Sequence, residues 1–270
     1  MKHTLKRCIP PLLLDLLKGN NNGYPTYPSY AAALATCSER AYENPALINT
    51  VIEKNRLYAQ HLANNPHFDA GVLKTLIGFG SLPTQHPLHV LDFGGGGGYH
   101  YHIAQTALGA ARIAQWAVVE TPTMAAAGQA LATPTLKFFD NLTTAATALP
   151  TVDLIFSSCA LNYCPNPLAM LRALTAVKAP YLYLTRMPLT QTTEKVIRQS
   201  SWLSANGPGQ LPPGIADREL SYPNTLMCQA DFEALLKENY TIRFRIAEEQ
   251  NVLIADKEPI HMYGYFCQRH

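Results

Sequence analysis

The chain has 270 residues, 47% of them apolar, and a formal net charge of +2. A chain of this length buries about 70–75% of its unfolded surface and needs no covalent staple. The composition excludes a disordered chain, and the near-neutral balance argues against nucleic acid held on a broad basic face.

The N-terminus, "MKHTLKRCIPPLLLDLLKG", resembles a signal peptide in its early lysines and its leucines. Pro10, Pro11 and Asp15 interrupt the apolar run, and no small-residue cleavage site follows. A short amphipathic helix beginning at the prolines is expected, either packed on the body or touching a membrane surface as a peripheral contact. No segment is long and apolar enough to be transmembrane, and a cytoplasmic location is expected. The six cysteines (Cys8, Cys37, Cys159, Cys164, Cys228 and Cys267) form no C-x-x-C and no zinc-type cluster with histidine. Reduced thiols and no metal site are expected.

Residues 1–85 read as a helical N-terminal extension or cap. Residues 28–63 place apolar side chains at three-and-four spacing, and Pro25, Pro28 and Pro45 break the helical reading of this part of the chain. "SLPTQHP" marks the boundary, and residues 86–270 form the second unit. There the rhythm changes to short apolar strands alternating with helices. The strands are "LHVLDF", "QWAVVE", "TLKFFD", "VDLIFSS" and "YLYLTR", and a closing pair is expected in "TIRFRI" and "HMYGYFCQR". Helices are expected from Tyr99, from Pro122 with Thr121 as N-cap, from Pro167 with Asn166 as N-cap, and over "QADFEALLKENY". Residues 187–225, rich in proline and glycine, read as a lid-like insertion. Continuously apolar strands alternating with helices imply a parallel sheet covered on both faces, with ligands bound beyond the carboxyl ends of its strands.

The first of these strands runs into "GGGGG", Gly94 to Gly98. Five glycines between a strand and a helix are a place of close backbone approach rather than a linker. A dinucleotide site needs G-x-G-x-x-G, and either frame ends on Tyr99 or His100 instead of glycine. A P-loop needs a Gly-Lys-Ser/Thr that is absent. Three successive strands end in acids: Asp92, Glu120 and Asp140. A carboxylate at the position of Glu120 can accept hydrogen bonds from ribose hydroxyls, as in dinucleotide folds.

Asp92-Phe93-Gly94-x-Gly96-x-Gly98 closely resembles the first motif of class I S-adenosylmethionine-dependent methyltransferases. "PPLLLDLLK", "AYENPALINTVIEKNRLY", "LDFGGGGGYHY", "WAVVETPTMAAAG", "SSCALNYCPNP", "LTRMPLT" and "SYPNTLM" together resemble a bacterial methyltransferase family that accompanies surface-polysaccharide biosynthesis. The resemblance spans nearly the whole chain. It implies an α/β, Rossmann-like, doubly wound fold with a mostly parallel seven-stranded methyltransferase sheet and S-adenosylmethionine as cofactor. It implies that the glycines let backbone lie against the cofactor, that Asp92 holds its ammonium end, and that Asp140 meets the adenine amino group. Gly94, Gly96 and Gly98 are the expected required glycines, with Gly95 and Gly97 only widening the loop. Asn141 and Ser157, near the ends of the third and fourth strands, complete the expected cofactor-binding set.

The chemistry beside the transferred methyl is less specified. The resemblance puts Asn162 and Tyr163 there, and Tyr163 either contacts substrate or packs under the lid. His100 is the candidate general base, because imidazole titrates near neutral pH; the competing reading is a side chain filling the first helical turn. Cys159 and Cys164 line the core or pocket. Arg186 either meets an anionic acceptor or is an exposed strand-end residue. The expected activity is methyl transfer to oxygen on a small or saccharide-like acceptor. The alternative is a methyltransferase-like cofactor-binding or partner module without turnover.

Overall fold

The computed structural model describes residues 23–37, 41–83 and 86–270. The expected amphipathic helix at Pro10-Pro11, and Cys8 with it, lie outside the described residues.

Five parallel strands form the centre of the sheet: β2 (Leu88–Phe93), β3 (Ile113–Val119), β4 (Leu136–Phe139), β5 (Leu154–Ser158) and β6 (Tyr181–Thr190). Their order is β4-β3-β2-β5-β6. β10 (Glu258–Arg269) then pairs antiparallel with β6, and β9 (Tyr240–Ala255) antiparallel with β10. The strand order reverses between β2 and β5, so their carboxyl ends open the crevice in which such sheets bind ligands.

The central strands are apolar on both sides because both sides are covered. On one face Leu91, Ile155 and Leu182 pack against α6 (Leu142–Ala148), α7 (Pro167–Ala176) and α8 (Gln229–Lys237). On the other, Val90, Trp116 and Phe156 pack against α3 (Leu73–Gly80) and α4 (Tyr99–Leu108). Asn166 caps α7 as expected, accepting from the Ala169 N–H at 2.9 Å. At α5 (Pro122–Gly128) Thr121 occupies the N-cap position but its hydroxyl does not cap. Its own N–H is taken by the Glu120 carboxylate instead.

The described residues hold ten strands, three more than the expected seven. The additions are β1 (Thr26–Tyr27), β7 (Lys195–Trp202) and β8 (Glu219–Cys228), an antiparallel set joined to the far end of β6 through Leu189–Met227 and Thr190–Cys228. The proline- and glycine-rich stretch between residues 187 and 225 therefore contains strand, although its middle, residues 203–218, is a loop with one short turn.

Three helices precede β2: α1 (Tyr30–Leu34), α2 (Pro45–Asn64) and α3. Asn44 caps α2 through the Ala46 N–H, and Pro45 stands at its first position. α2 carries Lys54 inward, with 1% of its surface exposed. Its ammonium donates to the carbonyls of Ser204 (2.8 Å) and Asn206 (2.7 Å) in the 203–218 loop. A buried cation is costly unless hydrogen-bonded, and burial lowers the Lys54 pKa, so the loop and the helix stabilise each other. Replacing Lys54 by alanine is expected to lower the unfolding free energy by about 2–3 kcal/mol through loss of these bonds and of the packed stem. Urea denaturation measures that loss, and limited proteolysis should show faster cleavage within residues 203–218.

Candidate active site

The five-glycine turn closes over Asp92. Asp92 ends the inner part of β2 with no exposed surface and accepts from the Trp116 indole N–H at 3.0 Å. Burial raises its pKa to about 8, the Trp116 bond opposes the rise, and the nearby Glu120 adds to it. Burial thus favours the protonated form. Asp92 has no exposed surface and forms the floor of the turn, its Oδ1 buried without a partner.

The turn leaves little room for side chains. A Cβ on Gly95 would lie 2.4 Å from Asp92 Oδ2, and one on Gly97 2.7 Å from the Asn55 side chain of α2. These two glycines are sterically required, contrary to the expectation that they merely widen the loop. Gly94 and Gly98 are closed as well, by Ala160 at 2.1 Å and Leu136 at 2.9 Å. Gly96 differs. Its φ of +56° favours glycine, yet a Cβ there would meet only Val51, at 3.5 Å. The loop is packed solid except above Gly96.

Glu120, just past β3, holds that open point. Its Oε1 accepts from the Gly96 N–H (2.9 Å) and its Oε2 from the Thr121 N–H (3.0 Å). Burial raises its pKa more than these two bonds lower it, and Glu43 raises it further. Glu120 is half-buried, and each carboxylate oxygen has a second lone pair, so it can still accept hydroxyl donors. Glu43 also accepts a hydrogen bond from Thr123 at the start of α5. Asp140 is an exposed side chain beyond β4, and Asn141 beside it caps α6 through the Thr144 N–H. Ser157 is fully buried and donates to the Phe93 carbonyl at 2.8 Å. It joins β5 to β2 and does not face the site, which corrects its assignment to the cofactor set.

Opposite the loop lies a second wall. Tyr163, in the short turn after β5, packs among Tyr42 (ring centroids 5.0 Å apart) and Tyr222 (5.3 Å). Its hydroxyl donates to Gln199 Oε1 at 3.3 Å, which also accepts from Asn224 Nδ2 at 2.5 Å. Tyr30 of α1 donates to the Tyr163 carbonyl at 2.9 Å. Burial pushes the Tyr163 phenol well above its ordinary value, so it remains a hydroxyl and does not serve as a base.

His100 is corrected too. Its ring lies edge-on to Phe156 at 4.7 Å, and its Nδ1 is buried without a partner. Burial, then the charges of Arg186 and Lys74, bring its pKa down to about 3. An imidazole with so little proton affinity does not abstract a proton effectively near pH 7.

Several participants carry no sequence signal of their own. Tyr42 and Glu43 stand before α2, far in sequence from the sheet, and Gln199 and Asn224 lie on β7 and β8. Cys159 Sγ lies 3.8 Å from the Tyr163 hydroxyl, so that cysteine borders the crevice. Cys164 is a partly buried thiol whose pKa burial raises to about 12. Among the described residues no group of His, Cys, Asp and Glu could hold a metal ion, and no helix is long and apolar enough to cross a membrane.

No family model and no curated protein matches the chain. Solved structures do. A S-adenosylmethionine-dependent methyltransferase from Clostridium acetobutylicum is 10% identical, covers 80% of this chain and 98% of its own, and has a TM-score of 0.45. Magnesium protoporphyrin IX methyltransferase from Synechocystis PCC 6803, solved with bound S-adenosylmethionine, is 15% identical over 81% of this chain and 84% of its own, with a TM-score of 0.43. An amino pentose methyltransferase from Micromonospora echinaspora is 14% identical over 79% and 97%, with a TM-score of 0.42. Likenesses at these values do not decide the reading, which rests on the geometry of the loop and the crevice.

The buried Asp92 gives a pH test. The folded state keeps its proton up to about pH 8, whereas the unfolded chain releases it near 3.8. Stability is therefore expected to fall as pH rises through that window. Asp92→Asn keeps an acceptor for Trp116 and removes the titration. Urea unfolding across the window should show a smaller decline in the variant than in the wild type; parallel curves would contradict the assignment.

Proposed function

We propose that the chain is an S-adenosylmethionine-dependent methyltransferase acting on oxygen of a small acceptor, saccharide-like molecules included. The observation that carries this is the turn that is closed to side chains everywhere except at Gly96, where Glu120 holds the backbone and remains able to accept hydroxyl donors. A cradle made of bare backbone beside two interacting carboxyl groups fits a ligand with hydroxyls and positive charge. It disfavours a pyrophosphate, which would face Glu120 and Glu43. The residues fit the cofactor in this way: the Gly94–Gly98 backbone against its body, Glu120 at the ribose hydroxyls, and Asp140 and Asn141 toward the adenine. The cofactor would supply a methyl group on a sulfonium, a ready electrophile.

The chain's own task is then orientation and exclusion of water. The tyrosine wall supplies flat faces for an acceptor, and the Tyr163 hydroxyl supplies polar direction. The seven-strand part of the sheet, β4-β3-β2-β5-β6-β10-β9, and the helices at the N-terminal side agree with the reading. A second reading, a cofactor-binding module without turnover, is favoured by the states of His100 and Tyr163: neither His100, the expected base, nor the Tyr163 phenol is fit to take a proton at neutral pH. Methyl release measured against a panel of sugars and phenols separates the two, because product formation excludes the module.

Calorimetry with S-adenosylhomocysteine tests the main reading. The wild type is expected to bind, and a well-folded protein that shows no heat at millimolar ligand would overturn it. Gly96→Ala is expected to fold with a cost of about 1–2 kcal/mol for the left-handed backbone, because its methyl meets only Val51, at ordinary contact distance. The same variant should lose nucleoside binding, since the space above Gly96 is where the ligand lies. Full retention of affinity would remove the loop from the site.

A further inference from the structure

We propose that the acceptor carries an oxyanion, a carboxylate or a phosphate, and that Arg186 is the residue that selects it. This deepens the methyltransferase reading and rests on it. Arg186 sits where β6 bulges against β10: Thr185 and Arg186 together face the single residue Gly264. The bulge puts Arg186 at φ +56°, a left-handed backbone in a residue that is neither glycine nor asparagine. Cys159, at the end of neighbouring β5, has φ +54°, and its N–H donates to the Thr185 carbonyl at 3.0 Å. Two strained residues joined across adjacent strand ends are held against a local cost, and such strain gathers where a side chain must be aimed.

The strained backbone aims a guanidinium into the crevice. The Arg186 side chain is exposed, yet protein crowds it: Cys159, Tyr163, Glu248 and Glu249 all raise its pKa. Its charge in turn acts on His100 and Tyr99 along one wall and on Tyr163 and Tyr222 along the other. A charge felt by residues of both walls lies between them.

The guanidinium makes no hydrogen bond and no ion pair among the described residues. Glu248 is committed elsewhere, with Oε1 on the Arg186 backbone N–H (2.9 Å) and Oε2 on the Lys74 ammonium (2.9 Å). The fork of five donors is thus left for a ligand, and its planar geometry matches carboxylate and phosphate in a bidentate pair. A second observation points the same way. Asn162, next to Tyr163 and fully buried, has neither amide atom paired, and Thr185 Oγ1 and Asn224 Oδ1 also lack partners. Buried polar groups ordinarily find partners, and the polar body of an acceptor would supply them.

The experiment titrates matched probe pairs into the protein: 4-hydroxybenzoate against 4-hydroxybenzamide, glucuronate against glucose, with phenyl phosphate as the phosphate arm. Each is read by calorimetry with and without S-adenosylhomocysteine. The charged member of at least one pair is expected to bind about 10-fold or more tighter than its neutral partner, the scale of a hydrogen bond to a charged group. Arg186→Gln should abolish that preference. Arg186→Lys, which keeps the charge and loses the fork, should retain only part of it and guards against a folding defect in the first variant. Stronger binding of 4-hydroxybenzoate than phenyl phosphate assigns carboxylate, and the reverse assigns phosphate. The proposal is overturned if no probe binds, if acid and neutral forms bind equally, or if Arg186→Gln keeps the preference. Failure of the wild type to bind S-adenosylhomocysteine would instead overturn the methyltransferase reading, and the titrations without nucleoside would still report on Arg186.

Discussion

The site depends on one steric constraint: the backbone from Gly94 to Gly98 lies directly on a buried carboxyl group. Asp92 is fixed from below by the Trp116 indole, and Gly95 rests on it with no room for a Cβ. That floor sets the height of the turn and directs the Gly96 N–H to Glu120. Because Glu120 also receives the Thr121 N–H, the same carboxylate fixes the start of α5. The end of β2, the end of β3 and the first turn of the next helix are thereby one rigid unit, built mainly from backbone. A binding surface of this kind has little conformational freedom left to lose when a ligand arrives.

The electrostatics follow from the same packing. Burial keeps Asp92 protonated and raises Glu120, and Glu43 adds a third carboxyl from the N-terminal side. The rim is therefore acidic, with its proton affinity raised by burial and mutual repulsion. A cationic ligand relieves that repulsion, whereas an anionic one aggravates it. Glu248 and Glu249 lie near Arg186, but neither is ion-paired with its guanidinium. On the proposed reading the crevice therefore has a cation-seeking side at Glu120 and an anion-seeking side at Arg186.

The central sheet was legible because its signal is local. Continuous apolar runs mark β2 to β6, those of β2 to β4 ending beside an acid or the glycines, and Asn166-Pro167 marks the start of α7. The turn's location was legible for the same reason, but its tolerances were not. That Gly95 and Gly97 are the crowded glycines depends on Asp92 folding underneath and on Asn55 arriving from α2. Burial likewise decides Ser157 and the proton affinity of His100: each is a plausible site residue by position, but Ser157 is spent on the Phe93 carbonyl and the His100 Nδ1 is buried without a partner. The β7–β8 strands were hidden by the prolines and glycines of the loop between them. Tyr42 and Glu43 were hidden by distance along the chain, since nothing near them in sequence announces the sheet they join.

The N-terminal helices complete the crevice rather than merely covering it. Tyr42 fills the space between Tyr163 and Tyr222, Val51 stands over Gly96, Asn55 over Gly97, and Lys54 fastens the 203–218 loop. Four contacts from residues 42–55 thus reach the tyrosine cluster, the glycine turn and the 203–218 loop together. Val51, Asn55 and Lys54 sit on α2, so movement of that helix would loosen the glycine turn and the loop at once, and Lys54 is the point at which that movement is resisted, because releasing the loop leaves an ammonium without its two carbonyls. Access to the crevice and its final geometry are therefore coupled through a single helix.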